Sequence, residues 1–181
     1  TDVAADVLAL GRRHAVITGG EPLLAADLPD LCRLLRTAGL HVTLETAGSV
    51  PSPAAADLVS ISPKLASSAP ADDTPGGWAG RHAAARRRDD VLLDLMRSAP
   101  YQLKFVVESL ADLAEADAWI ADLAAALPGG IDRGRVFLMP QGRSPRELAA
   151  ITRWLAAECR SRGFHLGHRH HIEWFGHTRG T

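Results

Sequence analysis

The residues best suited to chemistry lie in a few short, separated segments. Residues 15–22, Ala-Val-Ile-Thr-Gly-Gly-Glu-Pro, pass from an apolar stretch into two adjacent glycines, an acid and a proline. This pattern reads as a buried strand opening into a loop where Gly19 and Gly20, without Cβ atoms, let another molecule approach the backbone. A Gly-Gly pair alone is more often a plain turn, so the weight comes from further loops of the same kind. Glu45-Thr46, Ser62-Pro63-Lys64 and Met139-Pro140-Gln141-Gly142 each close another short strand-like run. The lysines point to the same segments. The chain carries eighteen arginines but only Lys64 and Lys104 as lysines. An ammonium and a planar guanidinium are not equivalent at a tight site, so a lysine that survives in such a background draws notice. Lys104 sits inside a strand pattern, either turned inward near the strand ends or outward to solvent, and the local sequence leaves the two readings even. In His168-Arg169-His170-His171, imidazoles two residues apart share a face of an extended strand and could chelate a metal. No complete ligand set is read beside them, so a solvated or stacked histidine cluster is expected.

These segments need a frame that brings strand ends together. Apolar spacing predicts a helix over 2–12 stopped by Gly11, a strand over 15–18, and a helix over 27–38 with Asp27 as candidate N-cap and Gly39 at its end. Strands follow at 40–45 and 57–61, then an irregular Ser/Pro/Asp/Gly-rich stretch over 66–80. Next come a helix near 81–97, a strand at 101–107, a helix at 110–126, a turn at 128–130, a strand at 135–139 and a helix at 145–162. Residues 170–175 read as a last strand. Alternating strands and helices imply parallel pairing with helices covering the sheet, so all strands present the same end to one rim. Ligands bind at the carboxyl ends of such strands. Trp78, Arg81 and His82, which follow the irregular stretch, are expected to fold over that rim.

Composition narrows the class. At 181 residues the chain suits one domain, 1–181, with a substantial core. Its net charge of −1 gives no electrostatic footprint for nucleic acid or an anionic membrane. No apolar run approaches the roughly 20 residues of a membrane span, and no signal peptide is read. Cys32 and Cys159 fall in helical contexts and read as buried thiols of a cytoplasmic protein.

In order, Ile17-Thr-Gly-Gly-Glu-Pro22, Leu44-Glu-Thr-Ala-Gly48, Ser60-Ile-Ser-Pro-Lys-Leu65, Tyr101-Gln-Leu-Lys-Phe-Val106 and Leu138-Met-Pro-Gln-Gly142 make the chain similar to radical S-adenosylmethionine enzymes. Within that superfamily it resembles the 7-carboxy-7-deazaguanine synthase family of queuosine and deazapurine biosynthesis. The resemblance covers nearly the whole chain. Gly-Gly-Glu-Pro marks only the superfamily, whereas the Ser-Pro-Lys-Leu, Gln-Leu-Lys-Phe and Met-Pro-Gln-Gly combination is far more specific.

The resemblance implies an α/β fold, a partial (β/α)6 barrel of the radical SAM type truncated at its N-terminus. It implies S-adenosylmethionine, a 4Fe-4S iron-sulfur cluster and Mg²⁺ as cofactors, 6-carboxy-5,6,7,8-tetrahydropterin as substrate, an electron donor such as flavodoxin, and a homodimer. In such a lyase the reduced cluster cleaves S-adenosylmethionine to a 5′-deoxyadenosyl radical. That radical takes a hydrogen atom from the pterin, and the ring contracts with loss of ammonia to 7-carboxy-7-deazaguanine. By resemblance, the backbone at Gly20 pairs with the amino group of S-adenosylmethionine, and Thr18 reaches the substrate. Glu45 accepts N–H groups of the pterin edge. Ser62, Pro63 and Lys64 hold the ribose and carboxylate of S-adenosylmethionine. Met139, Pro140, Gln141 and Gly142 line the adenine, Gln141 offering both a donor and an acceptor. The Thr181 carboxylate is a further substrate ligand if Thr181 is the natural terminus.

One departure stands out. The family's three-cysteine cluster motif, in the loop after the first strand, is expected to precede residue 1, and the Mg²⁺ ligand with it. The chain opens on Thr1 with a helix, as expected of a truncated or processed form, with poor solubility or dimerisation following from an exposed sheet edge. Fe–S irons need thiolates, and Cys32 and Cys159 lack the spacing to supply them. Two other readings stay open from sequence: a degenerate, non-catalytic S-adenosylmethionine- or pterin-binding or scaffold protein, and a radical-SAM activase of a glycyl-radical enzyme.

Overall fold

Alternation of apolar residues along the strands decides which sheet face is buried. The computed structural model describes residues 3–53, 55–70, 85–176 and 178. The chain divides into two compact units, Thr1–Pro63 with Arg87–Gln102, and Lys64–Arg86 with Leu103–Thr181. The first holds α1 (Val3–Ala9), β1 (His14–Ile17), α2 (Leu28–Thr37), β2 (His41–Thr46), β3 (Leu58–Ile61) and α3 (Asp89–Ser98). Strand β4 (Tyr101–Val107) starts in the first unit and continues in the second. The second unit also holds α4 (Leu110–Ala126), β5 (Val136–Pro140), α5 (Pro145–Arg162), β6 (His165–Leu166) and α6 (His170–Phe175). Neighbouring strands follow chain order within each unit, β1-β2-β3 in the first and β4-β5-β6 in the second. The pairs β1–β2, β2–β3, β4–β5 and β5–β6 are parallel. The expected α/β fold with a parallel sheet is therefore the one observed.

In the first unit Val42 and Leu44 of β2 and Val59 and Ile61 of β3 are buried, as are Leu28, Cys32 and Leu35 of α2 and Leu92 and Leu95 of α3. Thr43 and Glu45, pointing the other way along β2, are only half-buried. In the second unit Leu103, Phe105 and Val107 of β4 are fully buried, with the Phe105 and Trp119 rings 6.0 Å apart. Lys104 lies on the opposite, half-buried face of β4.

Helix ends follow their local chemistry. Ser109 Oγ accepts from Asp112 N at 3.2 Å at the start of α4, and Ser144 Oγ accepts from Glu147 N at 3.3 Å at the start of α5. Gly163, with φ +71°, ends α5 in the left-handed conformation. Asp27 stands in the N-cap position of α2 but makes no side-chain capping bond, a correction to its expected role.

Two element boundaries also differ from expectation. Residues 170–175 form α6, not a strand, and β6 lies earlier, paired through His165 and Leu166 with Phe137 and Leu138. The β-favouring aromatic content of 170–175 is outweighed by contacts at helical spacing. His170 and Trp174, four residues apart, stack with ring centroids 5.0 Å apart, and only Ile172 is buried. The helix expected near 81–97 is seen over Asp89–Ser98; Trp78, Arg81 and His82 lie outside the described residues.

A carboxylate joins α2 to the start of β2. Asp57 Oδ2 accepts from Val42 N at 2.8 Å, and Oδ1 accepts from Arg36 Nε at 3.0 Å. The Val42 amide, helped by the Arg36 guanidinium, holds the Asp57 carboxyl below its ordinary range. A carboxyl whose pKa is lowered by folding contributes stability above its unfolded value and loses it as pH falls through the folded one. Asp57→Asn is therefore expected to be less stable than wild type at pH 7. The gap should close as pH drops below about 4, measured by urea unfolding across pH.

Candidate functional site

The loop after β1 is shaped by glycine and tied down by an acid. Gly19 has φ +151°, a conformation L side chains rarely adopt, and Thr18, Gly19 and Gly20 are exposed. A Cβ added at Gly19 or Gly20 would meet nothing within 4 Å, so neither glycine is demanded by packing and both leave the backbone open to approach. Glu21 turns back toward the protein. Its Oε1 accepts from Thr46 Oγ1 at 2.7 Å and from Leu23 N at 3.1 Å, and its Oε2 accepts from Ala47 N at 3.0 Å. Thr46 Oγ1 in turn accepts from Gly48 N at 2.9 Å, and Thr46 O accepts from Ser62 N at 2.8 Å. The loops after β1, β2 and β3 are thus joined in one hydrogen-bonded chain. Glu21 was not among the sequence-predicted site residues, because its partner lies 25 residues away.

Glu45, half-buried, sits in register with buried Ser60 across β2 and β3, on the side away from Leu44 and Val59. Ser60 Oγ accepts from Gln102 Nε2 at 2.9 Å, a polar pair that sequence reasoning did not single out. Ser62 is half-buried and Pro63 buried at the carboxyl end of β3. Thr18, Gly20, Glu45, Ser62 and Pro63 therefore all lie at or beside strand carboxyl ends of the first unit.

The remaining described candidates belong to the second unit. Lys64 is exposed, and its carbonyl accepts from Arg86 NH1 at 3.3 Å; Arg86 also pairs with Glu115, whose Oε2 accepts from Ala66 N at 3.0 Å. At the end of β5, Gln141 N donates to Val107 O at 2.9 Å. Gly142 is buried, and a Cβ there would lie 3.0 Å from Leu148 N, so this loop is pressed onto α5. Half-buried Met139 packs on Gly167, where an added Cβ would come within 2.6 Å of Met139 Cγ. Arg169 NH1 donates to Gln141 Oε1 at 2.8 Å and to Gly142 O at 3.4 Å. One acceptor site of the Gln141 carbonyl is therefore engaged. Thr181 lies outside the described residues.

The histidine cluster is stacked, as expected. The rings of His168 and His170 lie 5.2 Å apart at 6°, and His170 continues onto Trp174. Glu173 is an acid that the sequence reading overlooked. Its carboxylate meets His170 Nδ1 at 2.8 Å and His168 Nδ1 at 3.7 Å. Among the described residues no group of three His, Cys, Asp or Glu could hold a metal ion. Burial pushes the thiols of Cys32 and Cys159 up, against the thiolate a cluster needs. The described residues thus do not fit an iron-sulfur cluster.

No protein-family model matches the chain. Solved structures share its fold. QueE from Escherichia coli superposes with a TM-score of 0.60 at 26% identity, covering 92% of this chain and 63% of that one. Streptococcus suis SuiB bound to S-adenosylmethionine gives 0.57 at 14% identity, over 91% and 41%. The α/β fold with its parallel strands is of the radical S-adenosylmethionine fold class. The 7-carboxy-7-deazaguanine synthase of Rhodopirellula baltica is 44% identical over 173 residues, 94% of this chain and 65% of that protein. That of Pyrobaculum aerophilum is 31% identical over 193 residues, 99% and 73%. The chain belongs to the 7-carboxy-7-deazaguanine synthase family. It spans less than two thirds of the length of the Rhodopirellula baltica relative (65%) and of the Halobacterium salinarum one (63%), and 73% of the Pyrobaculum aerophilum one. No helix among the described residues is long and apolar enough to cross a membrane.

Removing the Glu21 carboxylate strands the amide of Ala47 and the hydroxyl of largely buried Thr46. Glu21→Ala is expected to cost roughly 2–4 kcal/mol in chemical denaturation, and Glu21→Gln less, since its carboxamide oxygen still accepts.

Proposed function

We propose that this chain is the core domain of an enzyme that contracts the ring of 6-carboxy-5,6,7,8-tetrahydropterin to 7-carboxy-7-deazaguanine with release of ammonia. The observation that carries this reading is the Glu21–Thr46–Ser62 hydrogen-bond chain. It fixes three family motifs, Thr18-Gly19-Gly20, Glu45-Thr46 and Ser62-Pro63, at the carboxyl ends of adjacent parallel strands.

Bound S-adenosylmethionine supplies the hydrogen-abstraction chemistry. The protein's part is to bind, orient and exclude water. The carbonyl at Gly20 accepts from the cofactor's ammonium, with no side chain there to obstruct it. Ser62 and Pro63 hold its ribose, and the exposed Lys64 ammonium offsets its carboxylate. Met139, Pro140, Gln141 and Gly142 line the adenine. Thr18 contacts the pterin, and Glu45, which as a carboxylate only accepts, pairs with the N–H donors of its guanidine-like edge. Where Thr181 is the natural terminus, its carboxylate is a further substrate ligand. The cluster and Mg²⁺ belong to the family's reaction, and none of the described residues is assigned to hold them. A flavodoxin-type electron donor, a homodimer and a cytoplasmic location complete the reading.

A second reading is a non-catalytic member that binds S-adenosylmethionine and pterin. Protein expressed from the full reading frame and supplied with iron, sulfide, reductant, S-adenosylmethionine and carboxytetrahydropterin is expected to form 7-carboxy-7-deazaguanine, followed by mass spectrometry. Binding of both small molecules without product supports the second reading instead. In the active protein Glu45→Gln is expected to raise KM for the pterin at least about tenfold. It places an amide N–H against a substrate donor.

A further inference from the structure

Arg169 is a half-buried cation whose described side-chain partners, Gln141 Oε1 and Gly142 O, are both neutral. Burial pulls its pKa down. An arginine kept under those conditions has some task that neutral acceptors satisfy. A guanidinium offers only N–H donors. The Gln141 carboxamide must therefore turn its oxygen toward Arg169, since a flipped amide would set N–H against N–H. The backbone around Gln141 is fixed as well, by the Gln141 N to Val107 O bond and by the pressure of Gly142 on Leu148. Backbone and carboxamide are held together, and among the described residues no protein acceptor takes Nε2.

We infer that Arg169 is a positioning residue that locks the Gln141 carboxamide so that it presents its NH2 group, and not its oxygen, to the bound adenine. This rests on the reading above that Gln141 lines the adenine, and it adds the sense of the contact. Nε2 donates to a ring nitrogen of the base, not to the exocyclic amino group, which is itself a donor. Arg169 thereby selects a ligand with an acceptor at that position.

The test is a titration of the full chain with S-adenosylhomocysteine and its 1-deaza, 3-deaza and 7-deaza counterparts, followed by ligand-observed NMR into the millimolar range. In the wild type one deaza analogue is expected to bind about tenfold more weakly than the parent, the effect of one lost hydrogen bond. That discrimination should vanish in Arg169→Met. It should vanish also in Arg169→Glu, whose carboxylate accepts from Nε2 and turns the amide round. It should persist in Arg169→Lys, another donor-only cation. Because each ratio is taken on one sample, partial unfolding of a variant cancels, and a purely structural role for Arg169 would leave the ratio unchanged. Discrimination that survives in Arg169→Glu, or no discrimination in a wild type whose binding Gln141→Ala weakens, overturns the positioning role and leaves the adenine assignment of Gln141 intact. Equal binding by wild type and Gln141→Ala, or no binding by the wild type, overturns both.

Discussion

A single carboxylate, that of Glu21, organises the strand-end loops of the first unit. Loops at the ends of parallel strands carry many backbone groups with no ladder partner, and each must find one elsewhere. Glu21 accepts from two such amides and one hydroxyl, and Thr46 relays the connection to the loop after β3. With the acid facing inward, Thr18, Gly19 and Gly20 are left exposed at the outer edge. The motif Gly-Gly-Glu-Pro therefore splits its labour: the glycines stay open while the acid holds them in place.

The second unit solves the same problem with a cation. After β5, the Gln141 carboxamide and the Gly142 carbonyl converge on Arg169 NH1, while Gly142 itself is pinned against α5. In both units the strand-end loops are anchored through side chains that reach across many residues of chain. Loops so anchored can present a preformed surface, which lowers the ordering cost of binding.

Most of the frame was legible in the sequence because hydrophobic period and capping residues agreed. The helix over 110–126 begins at Ser109 and the one over 145–162 ends before Gly163, each where local chemistry demands it. The run at 170–175 misled because aromatic and β-branched residues favour strands only when a sheet edge receives them, and here His165 and Leu166 had already paired with β5. The strand-end motifs were readable one by one. What joins them was not: Glu21 to Thr46 and Arg169 to Gln141 are contacts 25 and 28 residues apart, set by the fold and invisible to spacing. Glu173 was overlooked for a related reason, since a carboxylate shared by two rings depends on a helical turn that the strand reading denied.

The two cysteines show what burial does to reactivity. Cys32 is wholly shielded within α2, and the Cys159 sulfur lies 3.6 Å from the carbonyl of His165, a neutral thiol in a peptide environment. Sulfur held this way reacts slowly with oxidants and alkylating reagents while the fold is intact. Labelling of either thiol thus reports opening of α2 or α5, giving the protein two built-in gauges of local unfolding, one in each unit.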